Sequence, residues 1–322
     1  MNVQETQILY GEEQIEKNKR GNSWVAKLLA LLSIPLILIG IGLLIFAIVT
    51  IAGAAFLILT ILLLVVGFCL LITAGVYLLN STERVETRHF PVNEHPHIVV
   101  NNEVGTIHIK ANSDANAVTF RTKRHSKRIG KVANESWVSY EYMKEANEIR
   151  ADVERVYSPG ATLPQSIDFT VSVPQQADLE LNTGVGDIWV AGISGQLSLQ
   201  CDIGSIYVKG GLLSGNSLLK TNLGSVNFHE AIDPSGSYQL ATETGSVHVI
   251  LPDDTSFELD ASSSFGNITT VVPNMKMAYR TSSEVHGDAG IPPRASLKLS
   301  SITGSVSVFE ESDGHIPQWG ES

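Results

Sequence analysis

A short phrase centred on glycine recurs through the last two thirds of this chain. Its copies are VGTIHI at Gly105, VGDIWV at Gly186, IGSIYV at Gly204, LGSVNF at Gly224, TGSVHV at Gly245, FGNITT at Gly266 and TGSVSV at Gly304. From Gly186 onward the glycines are separated by 18, 20, 21, 21 and 38 residues, and the last step is close to two ordinary ones. A period near 20 residues with one strand phrase per copy is typical of a β-solenoid, in which successive coils of the chain stack on one another.

Apolar residues occupy fixed positions around each glycine. One pair follows the glycine, as in Ile188 and Val190, and a second pair precedes it, as in Leu179 and Leu181. Alternation of this kind predicts two short strands per copy, each with one buried face, joined by a bend at the glycine.

Small and polar residues recur beside the bend. The position after the glycine is Thr, Asp, Ser or Asn, and the third position before it is mostly Thr or Ser. Stacked coils would turn these positions into ladders with neighbours about 4.8 Å apart, in which hydroxyl groups can bond to backbone groups. Cys201 occupies the Thr/Ser position, so we expect a small buried side chain and not a nucleophile.

The phrase is lost between Gly105 and Gly186, where longer alternating segments replace it. These segments are predicted as strands over Ala117–Arg121, Trp137–Tyr142, Glu148–Val153 and Ile167–Val173. Because the open ends of a stack expose unpaired strand edges, we expect this irregular section to cap one end. The stretch Pro273–Ala295 is expected to hold one degenerate copy or a protruding loop.

The N-terminal part of the chain has a different character. Residues 28–79 include no Asp, Glu, Lys or Arg, and a membrane span needs only about 20 apolar residues. The run therefore predicts two spans, Leu28–Val49 and Ala54–Leu79, and it is several times longer than the apolar core of a cleaved signal. Basic residues flank the run on both sides, so the positive-inside rule predicts a cytoplasmic β domain. These residues are Lys17, Lys19, Arg20, Lys27, Arg84 and Arg88.

The predicted fold is therefore an all-β solenoid of stacked short strands, with about 20 residues per coil, preceded by a transmembrane helical hairpin. The predicted organisation is a polar tail over 1–27, the two spans over 28–79, a linker over 80–96, the solenoid over 97–310 and a polar tail over 311–322.

Several phrases resemble the bacterial putative-adhesin domain. They are LELNTGVGDIWVAG, LSLQCDIGSIYVKG and YQLATETGSVHVILP, preceded by IDFTVSVPQQADLEL, and the resemblance extends from about Ile98 to Phe309. It implies a β-solenoid and an adhesive role at the cell surface, although similar domains also occur beside membrane-stress signalling components. This chain differs from a simple secreted adhesin because it has two predicted spans in place of a cleaved signal. An extracellular β domain is what the adhesin resemblance implies.

A basic cluster is the main charge feature of an otherwise acidic chain of net charge −11, a balance that argues against general nucleic-acid binding. The cluster could contact anionic lipid headgroups or a partner, at about 1 kcal/mol per residue near a membrane surface, or it could be a solvated hairpin loop. No aromatic stacking platform is interleaved with it, so nucleic acid is not an expected partner. Its members are Arg121, Lys123, Arg124, Lys127, Arg128 and Lys131.

Trp189 and Tyr207 take the same outward position in adjacent copies, where exposed aromatic rings often bind partners or sugars. The irregular section could equally cover them. The carboxylates Asp187, Asp202, Glu243 and Asp260 are scattered over several columns, which does not favour a carbohydrate-active enzyme.

The sequence indicates no cofactor and no metal site. Asp202, Asn222 and Glu243 each stand two residues before a glycine and could stack on one edge, but this column offers fewer oxygens than the 6–8 that calcium takes. The leading hypothesis is a non-enzymatic, membrane-anchored, adhesin-like module that presents a repetitive polar surface. Its partners would be the lipid bilayer and a protein or polysaccharide. The alternatives are a scaffold in a membrane-stress signalling system with a cytoplasmic β domain and, less favoured, a carbohydrate-active enzyme. Oligomeric state and ligand stay open.

Overall fold

The computed structural model describes residues 35–43, 54–79, 81–112, 116–127, 135–156 and 166–311. They belong to two compact units, a β unit that includes residues 166–311 and a helical unit that includes residues 54–79.

The helical unit contains the helix Ala54–Leu79, which occupies the residues predicted for the second span. Residues 35–43 are also helical. Gly40, within residues 35–43, lies against the helix Ala54–Leu79, because a Cβ atom on Gly40 would be 2.8 Å from Leu64 Cδ2. Side chains of the helix Ala54–Leu79 are described only for residues 61–73. Counted over the described residues, no helix has the length and apolar character needed to cross a membrane, so the two predicted spans are not confirmed.

In the described part of the chain, 22 strands form two sheets. The first eleven are β1 (Ser81–Pro91), β2 (His97–Val104), β3 (Ile107–Asn112), β4 (Ala117–Lys127), β5 (Glu135–Met143), β6 (Glu148–Val156), β7 (Ser166–Pro174), β8 (Asp178–Val185), β9 (Ile188–Ala191), β10 (Ser194–Gly195) and β11 (Leu197–Ile203). The others are β12 (Ile206–Leu213), β13 (Asn216–Leu223), β14 (Val226–Ile232), β15 (Ser237–Thr244), β16 (Val247–Leu251), β17 (Phe257–Phe265), β18 (Ile268–Val271), β19 (Lys276–Arg280), β20 (Glu284–Ala289), β21 (Ala295–Thr303) and β22 (Val306–Glu310).

Each glycine phrase forms one coil that contributes one strand to each sheet. Sheet A has the order β1-β4-β7-β3-β9-β12-β14-β16-β22-β18, with β10 beside β12, and sheet B has the order β19-β20-β17-β21-β15-β13-β11-β8-β2-β6-β5. Within the stack, neighbouring strands are parallel, as in β12 with β14 and in β11 with β13. The fold is therefore the predicted stack of parallel coils.

The core lies between the two sheets and is built from the predicted apolar pairs. Ile188 and Val190 are 0% and 2% exposed, and Leu179 and Leu181 are 2% and 0% exposed. The equivalent apolar residues of the other coils belong to the same core, and Ser217 and Thr270 are the two polar residues at these positions. Burial of these columns is the main source of stability, because each fully buried aliphatic side chain contributes roughly 1.5–3 kcal/mol.

The glycine bends stack directly on one another. Gly224 has φ +151°, and a Cβ atom there would be 1.9 Å from the carbonyl oxygen of Gly204. Gly204 has φ +146°, and a Cβ atom there would be 2.2 Å from the carbonyl oxygen of Gly186. A residue other than glycine would meet both an unfavourable backbone conformation and the neighbouring backbone.

The predicted polar ladders are present on both sides of the bend. Thr221 donates its hydroxyl to the carbonyl oxygen of Gly204 at 2.7 Å, and Thr242 donates to that of Gly224 at 2.8 Å. After the bend, the Ser225 amide donates to the Ser205 hydroxyl at 3.1 Å. Each coil therefore satisfies polar groups of the coil below it, as buried polar groups require.

The spatial order of the coils differs from their order in the sequence. The last coil, β21 and β22, lies between the Gly245 coil and the Gly266 coil. The 38-residue step is therefore not two successive coils. The intervening strands β19 and β20 form an antiparallel hairpin that pairs with β17 at the edge of sheet B, in place of the expected degenerate copy or loop.

The irregular section caps the other end of the stack, as predicted. β7 pairs with β3 in sheet A, and β6 pairs with β2 in sheet B. The segment 80–96, expected to be a linker, includes strand β1 at the edge of sheet A. Phe90 of this strand packs edge-on against Phe120, with ring centroids 5.8 Å apart. The Gly105 coil, the first in the sequence, thus has neighbours on both sides, as does the Gly304 coil, the last in the sequence.

Candidate interaction surface

Trp189 and Tyr207 lie side by side on the outer face of sheet A. They are register partners on β9 and β12, and their rings stack at 3.8 Å with an interplanar angle of 11°. His108 on β3 is the partner of Trp189 on the other side, and its ring is parallel to the indole at 5.9 Å. The fold therefore gathers three aromatic rings, His108, Trp189 and Tyr207, which we call the aromatic ladder.

The orientation of the rings decides how this ladder can meet a partner. Because Trp189 and Tyr207 face each other, the contacts that they offer are their edges, the indole N–H and the phenol hydroxyl. Both residues are half-buried. Part of this burial comes from the two rings covering each other.

Charged groups border the aromatic ladder. Lys110 and Lys209 are exposed and lie two residues further along β3 and β12, on the same outer face. Burial lowers the pKa of His108, an effect partly opposed by the carboxylates of Asp168 and Asp187. At neutral pH the positive charge beside the ladder therefore comes from the two lysines.

The column continues past Tyr207 as polar side chains. Asn227, His248 and Ser307 follow in register on β14, β16 and β22. His248 Nδ1 lies 2.6 Å from the Ser307 hydroxyl, and burial lowers the pKa of this histidine. One outer column thus changes from aromatic to polar along the stack.

The structure places part of the predicted basic cluster on strand β4. Arg121 is exposed, while Lys123 and Arg124 are half-buried. Thr122, between them, is buried with its hydroxyl 3.5 Å from the carbonyl oxygen of Glu86. The cluster is therefore not only a loop. The side chain of Lys127 and the residues Arg128 and Lys131 lie outside what the structure describes, so a common patch stays a prediction.

Sheet B presents a polar face with a shallow groove of about 440 Å³. The groove is lined mainly by amide and charged side chains that repeat from coil to coil. The Asn222 amide donates to Asp202 at 3.0 Å, and the Asn182 amide donates to Asn101 at 2.9 Å. This is the stacking of Asp202 and Asn222 that the sequence suggested.

The carboxylates considered for catalysis have structural partners. Asp187 accepts the Ser205 amide at 2.7 Å, and Asp260 lies 3.4 Å from His286 Nδ1. Among the described residues, no group of three His, Cys, Asp or Glu side chains could hold a metal ion. Cys201 occupies the hydroxyl ladder, where its thiol donates to the carbonyl oxygen of Gly186 at 3.1 Å.

Sequence reasoning missed two features. Val185, Ile203 and Leu223, each directly before a glycine, are 44%, 48% and 51% exposed and form an apolar ridge in register. The recurrence of an apolar residue at this position was the available signal. The second feature is Glu230, a carboxylate at a buried position of β14. The alternation of Val226, Phe228 and Ile232 around it would have identified it.

Comparison with solved structures gives distant similarities. A putative cell adhesion protein from Clostridium sporogenes is 9% identical, with 71% of this chain and 100% of that chain covered and a TM-score of 0.42. A putative adhesin from Bacteroides fragilis is 13% identical, with 70% and 97% covered and a TM-score of 0.32. A putative adhesin from Parabacteroides distasonis is 11% identical, with 69% and 96% covered and a TM-score of 0.27. Such low TM-scores carry no argument about function.

Among proteins with curated descriptions, none matches this sequence. The family model described as Toastrack DUF4097 matches residues 89–308, which include all seven glycine coils. On this match, and with the parallel coils described above, the chain belongs to the Toastrack DUF4097 family.

Proposed function

We propose that this protein is a non-enzymatic, membrane-tethered binding module whose partner contacts the outer face of sheet A at the aromatic ladder. The observation that carries the proposal is the register stack of His108, Trp189 and Tyr207 on a rigid parallel sheet. Half-exposed aromatic residues beside exposed Lys110 and Lys209 have the composition of a binding surface, because such rings supply contact area at low entropic cost.

The repeat itself favours a polymeric partner. Equivalent side chains on neighbouring coils are about 4.8 Å apart, so a protein strand or a polysaccharide can make the same contact several times. Contacts linked in this way strengthen binding without any single strong site. An adhesin-like role is in keeping with this arrangement.

The proposed tether is the N-terminal apolar run. Residues 28–79 have no charged side chain. The helix Ala54–Leu79 exposes large apolar residues, including Leu63 at 63% and Phe68 at 64%. Apolar side chains exposed to this extent require an apolar environment or a partner. Helices packed through a small residue such as Gly40 are common in bilayers.

A signalling scaffold is the second candidate, and the distribution of basic residues favours it. Lys17, Lys19, Arg20 and Lys27 precede the apolar run, and Arg84 and Arg88 follow it. The positive-inside rule then supports a β domain on the cytoplasmic side. There the aromatic ladder would bind an intracellular protein.

Binding to the aromatic ladder is tested with the full chain purified in detergent. The probes are an array of bacterial polysaccharides and a detergent-solubilised membrane extract for protein capture. Trp189→Ala should weaken capture of any bound probe by about tenfold or more, as loss of an aromatic anchor does. The matched control is Tyr279→Ala, another exposed aromatic residue, on β19 of sheet B. Equal loss in both variants, or no loss in Trp189→Ala, would contradict the proposal.

Membrane topology separates the two candidates. A single reporter cysteine is introduced by Lys220→Cys in a chain that also carries Cys69→Ser and Cys201→Thr. Lys220 is exposed on sheet B, and Thr is the usual residue at the position of Cys201. Labelling of intact cells by an impermeant thiol reagent would exclude the cytoplasmic scaffold. Labelling only after lysis would exclude the surface adhesin.

A further inference from the structure

Glu230 is a buried acid in a position built for an apolar residue. It follows Val226 and Phe228 on the inward side of β14 and is 3% exposed. Neither carboxylate oxygen has a hydrogen-bond partner among the described residues. In the next coil, Ile250 is the register partner of His229, so Leu251 takes the position that corresponds to Glu230, and it is 1% exposed. Since an unpartnered buried polar group loses its hydration without gaining a hydrogen bond, Glu230 destabilises the fold.

The neighbouring strand makes room for this carboxylate. Strand β12 has a bulge between Lys209 and Leu212, so that Gly210 and Gly211 have no direct register partner on β14. A Cβ atom on Gly211 would be 2.2 Å from Glu230 Oε1 and 2.0 Å from the carbonyl oxygen of Ile193. Bulges are frequent beside functional sites, where they redirect side chains.

Glu230 and the glycine bulge line a groove of about 790 Å³, which is within the range of small-ligand sites. Lys209, His229 and Glu311 are the ionisable residues at its rim. His229 Nε2 lies 3.4 Å from Glu311 Oε1, so the rim carboxylate already has a partner. The groove therefore contains one deep carboxylate whose hydrogen-bonding capacity is unused.

The donor set favours an organic cation over a metal. In the described part of the chain, no three His, Cys, Asp or Glu side chains come together in a possible metal site. An ammonium group brings three N–H donors and a guanidinium group brings five, and either can satisfy a single carboxylate. Hydrogen bonds of this charge-assisted kind are roughly twice as strong as neutral ones.

We propose that Glu230 and the Gly210–Gly211 bulge bind a ligand that carries a primary ammonium or guanidinium group. The cation replaces the carboxyl proton of Glu230, which is released to solvent. Because the carboxylate oxygens are covered in the free protein, the side chain turns further into the groove as the ligand enters. None of the three rings of the aromatic ladder lines this groove, although Lys209 borders both surfaces, and the proposal does not depend on the function proposed for the ladder.

The test uses the full chain in detergent, with methylguanidinium chloride as the probe and potassium chloride at equal ionic strength as the reference. The readouts at pH 7 are the melting temperature and the proton release in weakly buffered solution. We expect a saturable rise in melting temperature and release of a proton on binding. Glu230→Gln, which has the shape and neutrality of the protonated acid, should weaken binding by about tenfold or more and abolish proton release.

Matched variants make each outcome decisive. Glu311→Gln removes the rim carboxylate and should retain proton release, and Tyr279→Ala, on β19 of sheet B, should leave the response unchanged. Glu230→Leu, with the residue type of Leu251, replaces Glu230→Gln if that variant does not fold. Equal responses in the wild type and the Glu230 variants would overturn the proposal. So would a response seen only in Lys209→Met, because the chain's own lysine would then be the occupant.

Discussion

Burial raises the pKa of the Glu230 carboxyl to about 8, with no charged partner among the causes. Lys209, His229 and Glu311 line the same groove. The folded protein therefore holds this acid in its neutral form at pH 7, while the unfolded chain ionises it. One side chain in an otherwise apolar column thus makes the stability of the fold depend on pH.

We expect the free energy of unfolding to fall as pH rises from about 4.5 to about 8. Below this window both states are protonated, and above it both are ionised, so the contribution is constant outside it. The total loss is at most about 5 kcal/mol, from the separation of the folded and unfolded pKa values. Urea unfolding at several pH values measures it. Glu230→Gln should flatten the curve in this window, and an unchanged slope would contradict the assignment.

Cys201 should be chemically inert in the folded protein. Its side chain is 3% exposed, and burial raises the pKa of its thiol to about 11, so little thiolate exists at pH 7. In a Cys69→Ser background, a small permeant thiol reagent should modify Cys201 only after denaturation. Cys201→Thr should fold normally, because Thr donates the same bond to the bend in neighbouring coils. Rapid modification of the native protein would show that the ladder opens at this coil.

At the scale of the element, each coil depends on the contact between successive bends. Gly224 combines a positive φ with a backbone contact that leaves no space for a side chain. The hydroxyl of Thr242 in turn binds the Gly224 carbonyl oxygen, so any displacement of the bend also breaks a polar ladder. The strands on both sides of the bend are therefore coupled through it.

Replacing this glycine tests the importance of the stacked bends. Gly224→Ala should destabilise the protein by about 3 kcal/mol or more, from backbone strain and the clash together. The control is Gly215→Ala, where φ is +61° and the nearest atom is Oε1 of the flexible Gln196 side chain at 3.1 Å. It should cost only about 1–2 kcal/mol. Chemical denaturation gives both values, and equal losses would mean that the close contact between bends is unimportant.

At the scale of the whole molecule, the first and last coils of the sequence are not the ends of the stack. The C-terminal coil enters between the Gly245 and Gly266 coils, and the irregular section covers the outer side of the Gly105 coil. The terminal regular coils are thus internal. A linear solenoid can lose an end coil and keep the rest, but here the last strands lie inside the stack, between the Gly245 and Gly266 coils.

Truncation tests the coupling of these strands to the rest of the stack. A chain that ends after Arg294 lacks β21 and β22, whose residues Leu297, Leu299, Val306 and Val308 are at most 1% exposed. Loss of these two strands should abolish the cooperative unfolding transition, or lower the free energy of unfolding by more than about 5 kcal/mol, because four strands lose a neighbour. A chain that ends after Glu311 keeps every described strand and should unfold like the full protein. Cooperative unfolding at the original midpoint in the shorter chain would refute the coupling.

Local pattern was sufficient to predict the coils themselves. The spacing of the glycines, the apolar pairs and the Thr/Ser column identified the bends, both buried faces and the hydroxyl ladder, since each depends on residues within about 20 positions. The outward position of Trp189 and Tyr207 followed from the same alternation. Their mutual stacking did not, because it depends on side-chain orientation and not on register.

The order in which the coils stack, and the burial of Glu230 in an apolar column, depend on contacts between residues that are far apart in the sequence. Nothing in the phrase at Gly304 distinguishes a coil added at the end from one inserted beside Gly245, because both positions offer the same apolar faces and the same bend. The hairpin of β19 and β20 makes the inserted position reachable, since it carries the chain back past β17. The burial of Glu230 could not be read from the local pattern either, because a bulge on another strand, β12, covers its carboxylate. The regular spacing of apolar and polar side chains determines that a coil forms, whereas long-range packing determines which coil lies beside it.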